Sequence, residues 1–284
     1  MEALITKVNL RRDMMNLLAI DMDGTLLNSR NEVSDTQLSL LENILENNLA
    51  KVVIATGRPI EGVQTMLPES IFKQVYLLGL NGGVLLDQNK QLLGLSTFDP
   101  SDVADIVNHA ESVNANLGIM DGQHFYNLTE PLTSQMEFDI SINRMKFVPI
   151  NKEETLAKED VTKVVFFMAP EEQADLLTSL PVEFYDRFSV IVSQNYLIEV
   201  QPKGVTKGKR LLELAAHLEI GKEDIVSIGD GANDFELLKV AGTAIAMENA
   251  VEDLKVYADH ITLHHDEDGV KHAIHHYTSI MKEK

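Results

Sequence analysis

Two aspartates separated by one residue, Asp21 and Asp23, follow a short apolar run near the start of the chain. Residues 17–20 have the continuous hydrophobicity of a strand buried on both faces of a parallel sheet, and Gly24 permits a tight turn after it. Because residues i and i+2 of an extended segment point the same way, both carboxylates can face one point at the carboxyl end of the strand. Open α/β sheets bind their ligands there. Taken alone, the stretch is equally typical of a loop whose aspartates bond to their own backbone.

A second acidic pair, Asp230 and Asp234, follows another apolar run, residues 226–229, around a glycine-containing turn. Asn233 or Asp234 could also serve as a helix N-cap. Carboxylates that converge without a basic partner repel each other and raise their pKa values unless a divalent cation neutralises them. Oxygen-only ligands favour Mg²⁺. The two strand ends together therefore predict a Mg²⁺ site.

The composition restricts the class of partner. The 284 residues are enough for about two domains, and the absence of cysteine excludes disulfides, thiolate catalysis and thiolate metal sites. A formal net charge of -20 disfavours nucleic acid and anionic membranes as partners, because both are bound by clustered Lys and Arg. A small molecule is the expected partner, and the sequence leaves the oligomeric state open.

The amino-terminal sequence lacks the apolar region of a signal peptide, and the chain has no apolar stretch long enough to span a bilayer. Together with the lack of cysteine, these features predict a cytoplasmic protein. Residues 1–13 are predicted to be a loose extension, with Met14 or Met15 as an alternative start.

Strand-like and helix-like segments alternate along residues 14–86 and again along residues 196–284, which predicts a doubly wound, Rossmann-like parallel sheet. Residues 87–195 contain shorter and more alternating segments, typical of a separate α/β domain. The predicted fold class is α/β, with a discontinuous core domain and an inserted α/β cap domain.

Four short segments occur in an order that resembles a known family. They are Asp21-Met-Asp23-Gly-Thr25, Thr56-Gly57-Arg58, Lys207 within GVTKG, and Gly229-Asp230-Gly-Ala-Asn233-Asp234. They resemble the four motifs of the haloacid dehalogenase-like (HAD) superfamily, and more narrowly its Cof-type phosphatases, whose large α/β cap lies between the second and third motifs. The resemblance extends over nearly the whole chain from Asn16.

The resemblance implies that Asp21 is a nucleophile that forms an aspartyl-phosphate, which water then hydrolyses. Asp23 would protonate the departing oxygen and later deprotonate the attacking water. Mg²⁺ would be held by the carboxylates of Asp21 and Asp230 and by the main-chain oxygen of Asp23, with Asp234 acting through water or as an outer support. The predicted activity is Mg²⁺-dependent hydrolysis of a small phosphorylated metabolite, such as a sugar phosphate, a nucleotide or a phosphorylated cofactor.

The resemblance also implies a set of phosphate contacts. Hydrogen bonds from Thr56, Gly57 and Asn233 and a positive charge from Lys207 would meet the phosphate. Arg58 and Asn81 follow strand ends and could contact the substrate, although Arg58 is equally compatible with a structural ion pair. For Lys207 taken alone, a solvated lysine near a helix start is the competing interpretation.

Two segments depart from the family pattern. Glu248 precedes Asn249 where a small residue is usual, and His264 and His265 stand where an Asn is common, which leaves phosphate contacts from these segments open. A transition-metal site is a further hypothesis, because three of five nearby histidines have the helical spacing i, i+3, i+4, although most such clusters are a solvated helix face. The five are His264, His265, His272, His275 and His276.

Two other functions use the same motifs. A phosphotransferase or phosphomutase would form the aspartyl-phosphate and protect it from water. A non-catalytic binding protein would only accept a phosphate on Asp21, as receiver-type domains do, and the intact Asp23 counts against this reading because a passive phosphoacceptor needs no proton shuttle.

Overall fold

The computed structural model describes residues 16–143 and 147–278. The predicted extension, residues 1–13, and the alternative start residues Met14 and Met15 lie outside these ranges. The strands are β1 (Asn16–Asp21), β2 (Ala50–Ala55), β3 (Tyr76–Gly79), β4 (Val84–Leu86), β5 (Leu92–Leu95), β6 (Asn116–Met120), β7 (Phe125–Asn127), β8 (Phe147–Pro149), β9 (Lys163–Phe167), β10 (Phe188–Gln194), β11 (Leu197–Pro202), β12 (Ile225–Gly229), β13 (Thr243–Ala246) and β14 (His260–Ile261).

The α-helices lie between these strands and after the last of them. They are α1 (Asp35–Glu46), α2 (Ile60–Gln64), α3 (Glu69–Phe72), α4 (Pro100–Ser112), α5 (Ser134–Asn143), α6 (Lys152–Leu156), α7 (Gln173–Ser179), α8 (Val182–Arg187), α9 (Lys207–His217), α10 (Phe235–Lys239), α11 (Glu252–Lys255) and α12 (Gly269–Tyr277). Contacts divide the chain into two compact units. Of the described residues, the first unit contains 16–55, Glu69–Tyr76 and 207–278, and the second unit contains Thr56–Pro68, 77–143 and 147–206.

Five strands of the first unit pair in parallel, in the order β14-β13-β12-β1-β2. The apolar residues of β1, Leu17 to Ile20, are fully buried, as predicted for a central strand of a parallel sheet. Ile20 pairs with Ile54 of β2 and with Ile228 of β12. The residues that follow β1 and β12 therefore emerge at the same edge of the sheet, which is the arrangement that the two acidic pairs required.

A glycine at the start of α9 lets two helices of the first unit meet closely. A Cβ built on Gly208 would lie 2.1 Å from the main-chain oxygen of Glu236 in α10. No side chain fits at that distance, so glycine is required for the contact. The close approach fixes the first residue of α9, Lys207, beside the loop that precedes α10.

The second unit contains a β-hairpin. β3 and β4 pair antiparallel around the turn Leu80–Gly82, and β5 pairs antiparallel with β4. The sequence QVYLLGLNGGVLL, residues 74–86, is typical of a strand, a turn at residues 81–83 and a hairpin partner, and the structure has this hairpin.

The second unit also contains a six-stranded sheet of order β10-β11-β9-β6-β7-β8, in which all neighbouring strands are antiparallel except β7 and β8. Its core contains Val103 and Ile106 of α4, Phe166 of β9 and Phe184 of α8. β11 pairs with β9 and β10, although the sequence boundary of the cap was placed before it, at residue 195. The division into 14–86 with 196–284 and 87–195 stays a prediction.

A parallel-sheet unit that is interrupted in sequence by a second mixed α/β unit is the predicted fold class, which is thereby confirmed. Among residues 16–143 and 147–278, no helix combines the length and apolar character that crossing a bilayer requires.

Candidate active site

The two aspartates of the first motif have different environments. Asp21 is the last residue of β1 and is buried, whereas Asp23 lies in the irregular turn Met22–Leu26 and is exposed. Gly24 follows with a φ of 75°, and a Cβ there would lie 2.3 Å from Asp230 Oδ2. Glycine is therefore required both for the left-handed backbone and for the approach of the Asp230 carboxylate.

Asp230 and Asp234 reach the same place from the neighbouring strand. Asp230 directly follows β12, and Thr25 Oγ1 donates a hydrogen bond of 3.1 Å to its Oδ1. Asp234 is fully buried, and its Oδ2 accepts the N–H groups of Asp230 and Gly231, both at 3.0 Å. One carboxylate oxygen of Asp234 thus stabilises the loop that carries Asp230.

Lys207, at the start of α9, is fully buried. Its Nζ lies 2.6 Å from Asp21 Oδ1 and 2.7 Å from Asp234 Oδ1. Burial alone would lower the pKa of Lys207, but the charges of Asp21 and Asp234 raise it above its usual value. The interpretation of Lys207 as a solvated lysine is therefore wrong, and the ammonium lies against the predicted nucleophile.

Asp21, Asp230, Asp234 and Lys207 form what we call the active-site cluster, with three carboxylates for one ammonium. Burial, and next the charge of Asp234, raise the pKa of Asp21 well above its usual value. The same two causes raise the pKa of Asp230 to about 6. The cluster has more negative charge than its own cation can neutralise.

This excess of carboxylate fits a divalent metal. Asp21, Asp230 and Asp234 each offer one oxygen within 4.8 Å of the others, and the donors are hard carboxylate oxygens. Such a donor set suits Mg²⁺, which accepts one or two carboxylates and completes its octahedron with water and substrate oxygens. The Asp23 carboxylate is outside this group of three, and the binding of the ion by the main-chain oxygen of Asp23 stays a prediction.

The predicted phosphate loop, Thr56 to Arg58, lies in the second unit with Asn81. Thr56 is buried directly after β2, and its hydroxyl accepts the N–H of Arg58 at 3.1 Å. Asn81 donates its own N–H to the Thr56 carbonyl at 2.9 Å, so the two loops are held together. The Thr56 hydroxyl keeps its proton to donate elsewhere.

Asn233 is exposed in the turn before α10. Phosphate contacts of these residues stay predictions.

Four of the five histidines form two groups, and His275 is exposed on α12. His264 and His265 lie with Asp266 after β14, and one ligand atom of each lies within 4.8 Å of the others. His272 and His276 lie on α12 with ring centroids 4.3 Å apart. The five residues therefore do not meet as one group of ligands, and a transition-metal role for any of them stays a hypothesis.

Sequence reasoning missed Asn249 as a contact of this site. Its Nδ2 donates to the main-chain oxygen of Gly24 at 2.7 Å and to Asp230 Oδ2 at 3.3 Å. The sequence marked the segment AMENA around Asn249 as part of the family resemblance, with Glu248 as a departure from the pattern, and gave Asn249 no role. The available signal was a polar residue just after the predicted strand that became β13, at the same sheet edge as Asp21.

Comparison with known proteins gives the class. A model of haloacid dehalogenase-like hydrolases matches residues 18–274, so the chain belongs to that family. Phosphatase YwpJ of Bacillus subtilis is 27% identical, with 92% of this chain and 99% of that protein covered.

Another relative from Bacillus subtilis, 5-amino-6-(5-phospho-D-ribitylamino)uracil phosphatase YwtE, is 25% identical over 92% of this chain and 97% of its own length. The crystal structure of a haloacid dehalogenase-like hydrolase from Bacteroides thetaiotaomicron is 28% identical, with a TM-score of 0.84, and covers 93% of this chain and 100% of that one. The predicted enzyme class, a phosphatase of the haloacid dehalogenase type, is confirmed.

Proposed function

We propose that this protein is a Mg²⁺-dependent phosphatase that hydrolyses a small phosphorylated metabolite through an aspartyl-phosphate on Asp21. The buried ammonium of Lys207, 2.6 Å from Asp21 Oδ1, supports the proposal most directly. A cation in contact with the nucleophile can neutralise charge on the phosphoryl group as it is transferred. A buried lysine with a purely structural role would not require two further carboxylates, Asp230 and Asp234, beside the same pair.

The reaction has two halves, and both Asp21 and Asp23 take part in each of them. An oxygen of Asp21 attacks phosphorus in line, the bond from phosphorus to the leaving oxygen breaks, and Asp23 gives that oxygen a proton. Water then attacks the phosphorus of the aspartyl-phosphate, Asp23 takes a proton from the water, and the bond from phosphorus to the Asp21 oxygen breaks, which releases inorganic phosphate and restores the Asp21 carboxylate. The exposed position of Asp23 suits proton exchange with solvent, and burial of Asp21 suits a nucleophile that water must not compete with.

The metal would be held by the carboxylates of Asp21 and Asp230 and by the main-chain oxygen of Asp23. When bound, it supplies positive charge that offsets the phosphate and the three carboxylates. Asp234 supports this arrangement from outside, because one of its oxygens holds the loop of Asp230 and the other holds Lys207.

The proposal extends to the phosphate and the leaving group. Thr56, Gly57 and Asn233 would donate hydrogen bonds to phosphate oxygens, and Arg58 and Asn81 would contact the rest of the substrate. We infer a phosphate monoester such as a sugar phosphate, a nucleotide or a phosphorylated cofactor. The relative YwtE, whose name gives a small phosphorylated compound as substrate, supports this range.

A screen of phosphorylated metabolites, with an activated aryl phosphate as the generic substrate and released phosphate as the readout, tests the proposal. We expect release with Mg²⁺ and none with EDTA. Transfer of the phosphoryl group to an added alcohol or to another position of the substrate, in place of release, would identify a phosphotransferase or mutase. Phosphorylation of Asp21 without turnover would identify a phosphoacceptor.

A further inference from the structure

Asn249 joins three separate parts of the first unit through one side chain. Its Nδ2 donates to Gly24 O at 2.7 Å and to Asp230 Oδ2 at 3.3 Å, and its Oδ1 accepts the N–H of His265 at 3.1 Å. Both ends of the amide are thus in use. Asn249 has no role in the proposed catalytic steps.

The partners of Asn249 determine which way its amide points. A main-chain N–H can only donate, and a carbonyl or a carboxylate can only accept. The oxygen must therefore face His265, and the nitrogen must face Gly24 and Asp230. A rotation of the amide by half a turn would place its oxygen against the oxygens of Gly24 and Asp230 and its NH₂ against the N–H of His265. Both contacts would be repulsive, so the side chain has one stable orientation.

The turn that carries His265 is itself fixed to the loop that follows β1. His265 Nδ1 lies 2.8 Å from Leu27 O, and the carboxylate of Asp266 accepts the N–H and the hydroxyl of Ser29 at 2.8 and 2.5 Å. The main-chain N–H that anchors Asn249 therefore belongs to a turn that is itself held by hydrogen bonds. Its nitrogen can hold the Asp230 carboxylate against rotation.

The Asp230 carboxylate is held from two sides. Thr25 donates to Oδ1 and Asn249 donates to Oδ2, and both donors are neutral. Neutral donors orient a carboxylate without cancelling its charge, so the charge stays available to a cation. Outer groups of this kind commonly set the affinity of a metal site.

We propose that Asn249 is a positioning residue that orients Asp230 and thereby sets the affinity of the protein for Mg²⁺. The inference rests on the proposed function, in which Asp230 is a metal ligand. It also gives a physical reason why the site tolerates histidines at positions 264 and 265, where an Asn is common in the family. The contact uses the main-chain N–H of His265, which most residue types supply.

The first test replaces the amide. Asn249→Ala should weaken Mg²⁺ binding to the substrate-free protein by about 10-fold or more, measured by titration calorimetry. At saturating Mg²⁺, kcat and KM should return close to the wild-type values. Ser29→Ala is the matched control, because it removes a hydrogen bond between the same two loops without touching Asp230. It should change the Mg²⁺ dissociation constant by less than about 2-fold.

A second pair of variants leaves Asn249 in place. His265 is the first residue of a short 3₁₀ turn and follows a residue with φ -61° and ψ 151°, a backbone that accepts proline at position 265. His265→Ala removes the ring alone, and His265→Pro removes the ring and the N–H that anchors Asn249. We expect weaker Mg²⁺ binding for His265→Pro than for His265→Ala, by about 3-fold or more.

The outcomes separate the inference from the proposed function. Wild-type protein that binds Mg²⁺, together with Asn249→Ala and His265→Pro variants that bind it equally well, would reduce Asn249 to a structural role and overturn the inference alone. Wild-type protein that gives no Mg²⁺ binding signal at all would overturn the metal dependence of the proposed function, and the inference with it.

Discussion

Each of the two units contains an aspartate in contact with a lysine, and the pKa values of these two aspartates are shifted in opposite directions. In the active-site cluster, Asp21 contacts Lys207, and its pKa is raised by burial and by the charge of Asp234. In the second unit, Asp121 contacts Lys158 at 3.1 Å, and its pKa is lowered to about 2. An aspartate–lysine contact therefore does not by itself indicate how a carboxylate behaves.

The difference lies in the other neighbours. Burial alone would raise the pKa of Asp121, but its carboxylate accepts the N–H groups of His124 and Gln123 and the hydroxyl of Tyr126, as well as Lys158. Its charge is fully satisfied by the protein. The carboxylate of Asp21 instead shares its lysine with a second acid and faces a third. We infer that the unbalanced cluster is built for a cation and that the balanced one stabilises the fold.

The largest effect should come from Asp21→Asn, which replaces the nucleophile with an amide of nearly the same shape. We expect phosphate release to fall by about 10⁴-fold or more, because the covalent step is lost. The thermal unfolding temperature should not fall, since one of three mutually repelling carboxylates is removed. Near wild-type turnover by this variant would refute the mechanism.

Removal of metal should abolish activity while leaving the Asp121 region unaffected. EDTA should stop phosphate release, and Mg²⁺ should restore it more fully than Ca²⁺, whose larger shell misplaces the in-line geometry. Mg²⁺ at about 100 times its dissociation constant should stabilise the folded protein by about 2.7 kcal/mol. Asp230→Asn should lose most of this stabilisation in thermal melts, and full activity of the metal-free protein would contradict the role of Asp230.

Asp23→Asn should separate the two aspartates of the first motif. A proton donor matters most when the leaving oxygen is strongly basic, so single-turnover phosphorylation by an alkyl phosphate should slow by about 10²-fold or more. Phosphorylation by an activated aryl phosphate should slow much less. If both substrates lose the same factor while Mg²⁺ binding is unchanged, Asp23 positions the loop and does not move protons.

The stability of the metal-free protein should respond to pH through Asp230. Its folded pKa of about 6 lies above the ordinary value of 3.8, so its contribution to stability is present below about pH 4 and is lost as the pH rises through 6. Denaturant unfolding between pH 4 and 7 should therefore give a smaller decrease for Asp230→Asn than for the wild type. Equal decreases in the free energy of unfolding of the two proteins would show that the pKa of Asp230 is not raised by folding.

Asp121→Asn should give the smallest effect, with the opposite sign of pH dependence. The folded pKa of Asp121 lies below its ordinary value, so its contribution is present above about pH 4 and is lost as the pH falls towards 2. Near pH 7 the free energy of unfolding of the variant should be about 1–2 kcal/mol lower than that of the wild type. This difference should become smaller as the pH falls. Its affinity for Mg²⁺ should match the wild type, and a weaker affinity would contradict the division into two roles.

The sequence alone determined the order of the elements and the candidate residues at their ends. A buried strand shows as an uninterrupted apolar run, and the residue that follows it is visible directly, which is why Asp21, Asp230 and the hairpin before Asp87 could be predicted. These are local properties, because the alternation of strand and helix depends on neighbouring residues. The roles given to Thr56, Gly57 and Asn233 came from the order of the family motifs, and they remain predictions.

Tertiary structure decided which of these residues meet and how their charges behave. Lys207 lies 186 positions from Asp21, and Asn249 lies 225 positions from Gly24, yet each pair is in hydrogen-bonding contact. No local pattern encodes such contacts, because they depend on the parallel pairing of β1 with β12 and of β12 with β13, and on the packing of α9 against α10. The pKa of a carboxylate depends on its burial and on every donor and charge around it. For that reason the pKa values of Asp21 and Asp121, which are the same residue type in the sequence, shift in opposite directions only in the folded chain.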